Sequence, residues 1–252
     1  MSSKRPTRST INTAEIAHFS KDSADWWNPD GPFAPLHRMT PARMRFLKDA
    51  LGTITGKTIL DIGCGGGLIS TPLARLGANV TGIDADATAI SVASAHAAKN
   101  DLPITFIHGA AEDLVAQGKT FDVVLALEIL EHVDHPEMFV DMCAQLVKPD
   151  GIVIFSTLNR TVKSYAMGII AAERILGWVP KGTHDWKKFV KPSELARMAK
   201  SAGLDIHVAK GMIYSPAYGD IAFTVPMFAD FLRRNAAAGN GDSVRSGDKS
   251  SV

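Results

Sequence analysis

From Lys57 onward, apolar residues arrive in short blocks separated by stretches that are polar on one side only. The blocks Thr58–Ile62, Val80–Ile83, Ile104–His108, Phe121–Leu127 and Ile152–Ser156 have the length and β-branched content of buried strands. Between them, helical spacing appears around 68–76, 87–99 and 136–147, and Lys148-Pro149-Asp150-Gly151 turns the last helix into its strand. Short strands alternating with helices predict a parallel sheet covered on both faces. Upstream, Ile11–Phe19 reads as helical, Asn28-Pro29-Asp30-Gly31-Pro32 breaks the chain, and Thr40-Pro41 is a start signal for a second helix. Downstream, Tyr165–Val179 is apolar around most of a helix and predicts an insertion at about 160–191 after the fifth strand. A helix at Pro192–Ala202 and a strand at Asp205–Lys210 follow. The expectation is an α/β chain: a doubly wound, mostly parallel sheet over 11–232, between disordered tails at 1–10 and 233–252.

Composition removes several functions. Apolar content of 46% and charged content of 21% suit a soluble globular protein. A net charge of +1 gives no global field to draw nucleic acid, and none is expected as a partner. Cys64 and Cys143 form no disulfide framework, which fits a reducing cytoplasm. No apolar run reaches the roughly 18 residues of a spanning helix. Lys4, Arg5 and Arg8 lie among serines and threonines, without the apolar core of a secretory signal.

The chemistry is carried first by Ile59-Leu60-Asp61-Ile62-Gly63-Cys64-Gly65-Gly66-Gly67 and then by Val80-Thr81-Gly82-Ile83-Asp84. A strand ends in a glycine-rich turn, and about 20 residues later a second strand ends in a carboxylate, the spacing of a nucleoside-binding βαβ unit. Asp84 is placed to accept hydrogen bonds from both ribose hydroxyls. A pyrophosphate-binding turn needs glycine at position 68, where Leu68 stands; the pattern here is glycine at 63, 65 and 67. That argues against a nicotinamide-dependent oxidoreductase. The fourth strand runs into Leu127-Glu128-Ile129-Leu130-Glu131-His132-Val133. If helical, this segment puts Glu128, Glu131 and His132 on one face, as a divalent-cation site or a base. The alternative is that Glu128 caps a helix while the other two are solvated. Trp26-Trp27 either clamps an aromatic ligand or packs the N-terminal helices on the sheet; His96 and His108 read as surface or packing residues.

The glycine turn with Asp61 ahead of it resembles motif I of the class I S-adenosylmethionine-dependent methyltransferases. Taken with the Glu-x-x-Glu-His run, Ser156-Thr157-Leu158-Asn159-Arg160, Val179-Pro180-Lys181-Gly182-Thr183-His184-Asp185, Pro35-Leu36-His37-Arg38 and Pro41-Ala42-Arg43, the chain resembles the ubiquinone-biosynthesis O-methyltransferases from about Glu15 to Tyr214. The resemblance implies a Rossmann-like methyltransferase fold that methylates phenolic hydroxyls of polyprenylated ubiquinone precursors at two steps. It implies S-adenosylmethionine contacts at Arg43, Gly63, Asp84 and Leu127, and magnesium at Glu128, Glu131 and His132, with His132 or Glu128 serving catalysis. A lipid substrate implies a cytoplasmic protein peripheral to the inner membrane, with other ubiquinone-pathway proteins as partners. The basic flank Lys181, His184, Lys187, Lys188 and Lys191, with Trp178 and Trp186 as anchors, is the expected contact with an anionic membrane surface. A non-catalytic scaffold of the same fold stays open. Where the resemblance implies a sheet-completing strand after Tyr214, this chain has Gly219-Asp220-Ile221-Ala222-Phe223-Thr224-Val225-Pro226; Ile221–Val225 is expected as a substitute strand that Pro226 confines to the edge.

Overall fold

A computed structural model describes residues 9–161, 164, 185–214 and 223–234. The expected insertion helix Tyr165–Val179, with Trp178, Lys181 and His184, lies outside the described residues, as do 1–8 and 235–252. The helices are α1 (Thr13–Phe19), α2 (Ala34–Leu51), α3 (Ser70–Arg75), α4 (Ala87–Lys99), α5 (Ala111–Ala116), α6 (Pro136–Leu146) and α7 (Pro192–Ser201). The strands are β1 (Thr58–Ile62), β2 (Asn79–Asp84), β3 (Thr105–His108), β4 (Phe121–Leu127), β5 (Val147–Leu158), β6 (Leu204–Tyr214) and β7 (Phe223–Arg234). They form one sheet in the order β3-β2-β1-β4-β5-β7-β6. The first five strands are parallel, and β7 runs antiparallel to both β5 and β6.

Period-two alternation sorts the core into two faces. Leu60, Ile62, Val124, Ala126, Val153 and Phe155 point to a layer holding α5, α6 and α7, through Leu114, Phe139, Val140, Leu195 and Ala199. Ile59, Val123, Leu125, Ile152 and Ile154 point to a layer holding α2 and α3, through Met44, Leu47 and Leu73. Both sides of the central strands are thus apolar, the pattern of a doubly covered parallel sheet.

Some local expectations fail for physical reasons. Thr40-Pro41 does not start a helix: α2 begins at Ala34 with Pro35 in its first turn, and Pro41 lies inside it. Pro41 has no N–H for the carbonyl of His37, and the Thr40 hydroxyl donates instead to the Leu36 carbonyl at 2.9 Å. The Lys148–Gly151 turn is a bulge within β5: Phe121 pairs with Val147 and Val123 with Ile152, so the intervening residues loop out of the ladder. The C-terminal strand is not an edge strand. β7 lies between β5 and β6, and its Pro226 falls just past the last β5 pair, Leu158 with Met227, beside the irregularity between Met212 and Tyr214. A residue without an N–H is tolerated there because the ladder has already ended on one side and slips on the other.

The amino ends of β1, β4 and β5 are pinned by Asp122. Its carboxylate accepts from the Thr58 backbone N–H at 2.8 Å, the Thr58 hydroxyl at 2.7 Å and Lys148 Nζ at 2.8 Å. Lys148 and Thr58 hold its pKa down at about 2. Because the folded-state value is depressed, this contribution is present above the ordinary carboxylate range near 4 and is lost as pH falls toward 2. Asp122 is part-exposed, so solvent screening limits the effect to about 1 kcal/mol. Asp122→Asn should lower the melting temperature by about 2–4 °C at pH 7, and the gap from wild type should close between pH 4 and pH 2 in thermal melts.

Candidate active site

The chain runs outward from β1 to β3 and returns to place β4 beside β1, so the sheet reverses direction between β1 and β4. In open α/β sheets such a reversal is where ligands bind, beyond the carboxyl ends of the strands. Gly63, Gly65 and Gly67 have φ of 70°, 52° and 84°, in the left-handed region. At Gly65 the need is double: an added Cβ would also come within 2.4 Å of the Trp26 ring.

Asp84 ends β2 and ties this turn to the next one. Its Oδ2 accepts from the Gly65 N–H and its Oδ1 from the Asp86 N–H, both at 2.8 Å. Each oxygen keeps lone pairs for a ribose hydroxyl. Burial pushes the Asp84 pKa up, and the backbone N–H groups of Asp86 and Gly65 oppose this. Leu127 ends β4, paired with Ser156 and half-buried.

Under the turn lies a buried charge network. Asp61, on the α2–α3 face of β1, accepts from the Ser70 hydroxyl at 2.7 Å. Burial raises its pKa to about 6, against the Ser70 hydrogen bond and the attraction of Arg43. Arg43, from α2, is buried and forms an ion pair with Glu128. Burial lowers its pKa to about 10, against attraction to Asp61 and Glu131, so it is cationic at neutral pH. Its Nε is buried with no hydrogen-bond partner among the described residues. A guanidinium with an unsatisfied buried N–H at the mouth of a nucleoside site suits a ligand carboxylate.

The structure does not bring Glu128, Glu131 and His132 together. The expected helical face does not form: Glu128 has φ of 53°, and Leu130–His132 is a 3₁₀ turn. Glu128 Oε1 accepts from the Ser156 hydroxyl at 2.8 Å, and the buried Glu131 accepts from the Thr157 hydroxyl at 2.8 Å. Ser156 and Thr157 thus each claim one of the two carboxylates, and the Arg43 cation lies near both. His132 Nδ1 instead faces Glu15 Oε2 of α1 at 3.1 Å. Among the described residues no group of three His, Cys, Asp or Glu side chains is placed to hold a metal ion. Mg2+ does not fit this arrangement.

Several residues of this site carried little signal in the sequence. Ser156 and Thr157 are polar positions in an otherwise continuous apolar strand, a pattern that calls for buried partners. Glu15 is one acidic residue on an amphipathic helix. It joins the site because Lys188 Nζ lies 2.8 Å from its other oxygen and because Asn12 and Thr10 anchor the same segment to Asp134 and Glu112. Glu15 has its pKa lowered to about 2, mainly by His132 and then by Lys188 against desolvation. Trp186, expected to anchor in a membrane, packs inward with Met39, Leu158 and Phe189 and donates its indole N–H to the Thr161 carbonyl at 3.1 Å. His108 is exposed, and His96 stacks on Trp27 with ring centroids 3.4 Å apart.

This topology, with its glycine turn, strand-end carboxylate and buried arginine, defines a class I S-adenosylmethionine-dependent methyltransferase fold. The family described as a methyltransferase domain matches residues 35–208, and a domain of unknown function matches 207–232. A methyltransferase from Mesorhizobium loti superposes with a TM-score of 0.60 at 21% identity, over 77% of this chain and 98% of its own. The magnesium protoporphyrin IX methyltransferase of Synechocystis, with bound S-adenosylhomocysteine, gives 0.59 at 22% identity, over 79% of this chain and 83% of its own. In sequence, the chain is 47% identical to the ubiquinone biosynthesis O-methyltransferase of Cereibacter sphaeroides, over 82% of this chain and 89% of the relative. The corresponding protein of Methylobacterium sp. is 44% identical over 85% and 90%. The chain belongs to the ubiquinone biosynthesis O-methyltransferase family.

Asp84 generates a direct test. Asp84→Ala removes a charged acceptor, and S-adenosylhomocysteine should bind about 10- to 100-fold more weakly, the loss expected for hydrogen bonds to a charged group. Titration calorimetry measures this, and unchanged affinity would place the ribose elsewhere.

Proposed function

We propose that this chain transfers the methyl group of S-adenosylmethionine to phenolic hydroxyls of polyprenylated ubiquinone precursors, at both O-methylation steps. The observation that carries the reading is the pairing of Asp84, held by the glycine turn, with a buried Arg43 whose Nε lacks a partner among the described residues. Together they suit a ligand with a ribose at one end and a carboxylate at the other. The names of the relatives support the substrate class.

When bound, S-adenosylmethionine supplies an electrophilic methyl group on a sulfonium. Arg43 would exchange Glu128 for the methionine carboxylate, Asp84 would hold the ribose, Gly63 would line the methionyl chain with its backbone, and Leu127 would border the sulfonium. Its methyl carbon would be open to attack by the phenolic oxygen, with the electron pair of the carbon–sulfur bond left on sulfur as a neutral thioether. Alignment of the two reactants supplies much of the acceleration. A free phenol with a pKa near 10 also needs a proton acceptor at neutral pH. His132 takes that role. The ionised Glu15 has no proton to give, so it accepts from Nδ1–H and directs the imidazole lone pair to Nε2. Glu128, released from Arg43 and held by Ser156, offers a second carboxylate to the acceptor.

His132→Ala should lower kcat about 10²- to 10⁴-fold on a soluble catechol while leaving S-adenosylhomocysteine affinity within twofold. The same assay after EDTA separates the routes. Loss of turnover restored by Mg2+ would mean that Glu128, Glu131 and His132 regroup around an ion, and it would replace His132 as the base.

The lipid substrate calls for peripheral contact with an anionic inner-membrane surface, through residues 165–191, and allows assembly with other ubiquinone-pathway proteins. No helix among the described residues is long and apolar enough to cross a membrane. Lys188 is drawn toward Glu15, whereas Lys187 and Lys191 are exposed. Each exposed lysine adds on the order of 1 kcal/mol at an anionic surface, screened by salt. Lys187→Glu with Lys191→Glu should release the chain from anionic vesicles in co-sedimentation at low salt, with soluble-substrate turnover retained. Equal sedimentation of the variant and wild type would move the contact elsewhere.

A further inference from the structure

The segment between α1 and α2 is clipped onto the glycine turn at several points. The Ser23 hydroxyl donates to Asp86, the residue that caps α4. Trp27 donates its indole N–H to the Gly66 carbonyl at 2.9 Å, and its ring stacks on His96 of α4 with an interplanar angle of 3°. The Trp26 carbonyl lies 2.7 Å from His37 Nε2 of α2. The Trp26 ring stacks on Phe33 with centroids 3.8 Å apart.

What these clips hold in place is the Trp26 indole. Its six-membered ring lies over Gly65 and its Cβ–Cγ bond over Gly66, so close that a Cβ on either glycine would fall within 2.5 Å of it. The Gly65 that the indole covers is the same residue whose N–H Asp84 holds. Its Nε1 is buried with no hydrogen-bond partner among the described residues. A buried indole N–H normally finds an acceptor, and leaving it unmade costs the full desolvation of the donor. The neighbouring Trp27 does find its acceptor, on the very next turn carbonyl, so the packing here permits indole hydrogen bonds.

We infer that Trp26 is a cofactor-binding residue: its ring roofs the glycine turn, and its N–H donates to an oxygen of the bound nucleoside–amino acid. This rests on the S-adenosylmethionine reading above and extends the ligand's contacts from the sheet to the N-terminal segment. The clips on either side of Trp26 hold the ring in register with the turn, so little side-chain freedom is lost when the ligand arrives.

The test uses the full chain and S-adenosylhomocysteine. Trp26→Phe keeps an aromatic ring on the two glycines but removes the donor, and it should bind about tenfold more weakly by calorimetry. In the wild-type chain with ¹⁵N-labelled indoles, the Trp26 N–H resonance should move downfield and exchange more slowly on saturation, while that of Trp27, already bonded to Gly66, should stay nearly fixed. The wild-type spectrum reads the donor directly, even if the variant fails to fold. An unmoved Trp26 resonance in saturated wild type would overturn the inference, as would full affinity in a folded Trp26→Phe. Failure of the wild type to bind S-adenosylhomocysteine at all would instead remove the cofactor reading on which the inference rests.

Discussion

The buried Arg43 is the interaction on which the rest of the site depends. It pairs with the part-exposed Glu128 and attracts the buried Asp61 and Glu131. An unpaired charge in such surroundings costs several kcal/mol, so the cation midway along α2 is what lets these acidic groups lie under one turn. The network does not hold full charge freely, since Asp61 is pushed up to about 6 even beside Arg43. Its hydrogen bonds to Ser70, Ser156 and Thr157 carry part of that load.

The second constraint is closure from the N-terminus. The sheet supplies the glycine turn and the strand ends, and the N-terminal segments are tied onto them. They reach α5 through Thr10, the turn after β4 through Asn12 and Glu15, and α4 through Ser23 and Trp27. These contacts are long in sequence and mostly polar, so they position rather than drive folding. The apolar clusters on the two faces of the sheet do the latter.

Much of this was legible beforehand. The strands were readable because period-two apolar runs on both faces leave no other conformation that buries them. The glycine turn and Asp84 were readable because their spacing is local: one turn, one helix and one strand separate them. The misreadings share a cause. Thr40-Pro41 has the chemistry of a helix start, but packing of Met39, Met44 and Leu47 extends α2 through it. The run from Glu128 to His132 has helical spacing, but a left-handed Glu128 and pull from Ser156, Thr157 and Glu15 turn each side chain its own way.

By itself, the sequence determined a doubly wound sheet, its glycine turn and the carboxylate that ends the second strand. These follow from hydrophobic periodicity and short-range glycine geometry, which act over a few residues. Only the tertiary structure decided that the last strand is interior, that Glu15 faces His132, that Arg43 meets Glu128 and that Trp26 roofs the turn. Those contacts join residues far apart in the chain, and their partners are chosen by which groups burial leaves without water. No local pattern contains that choice.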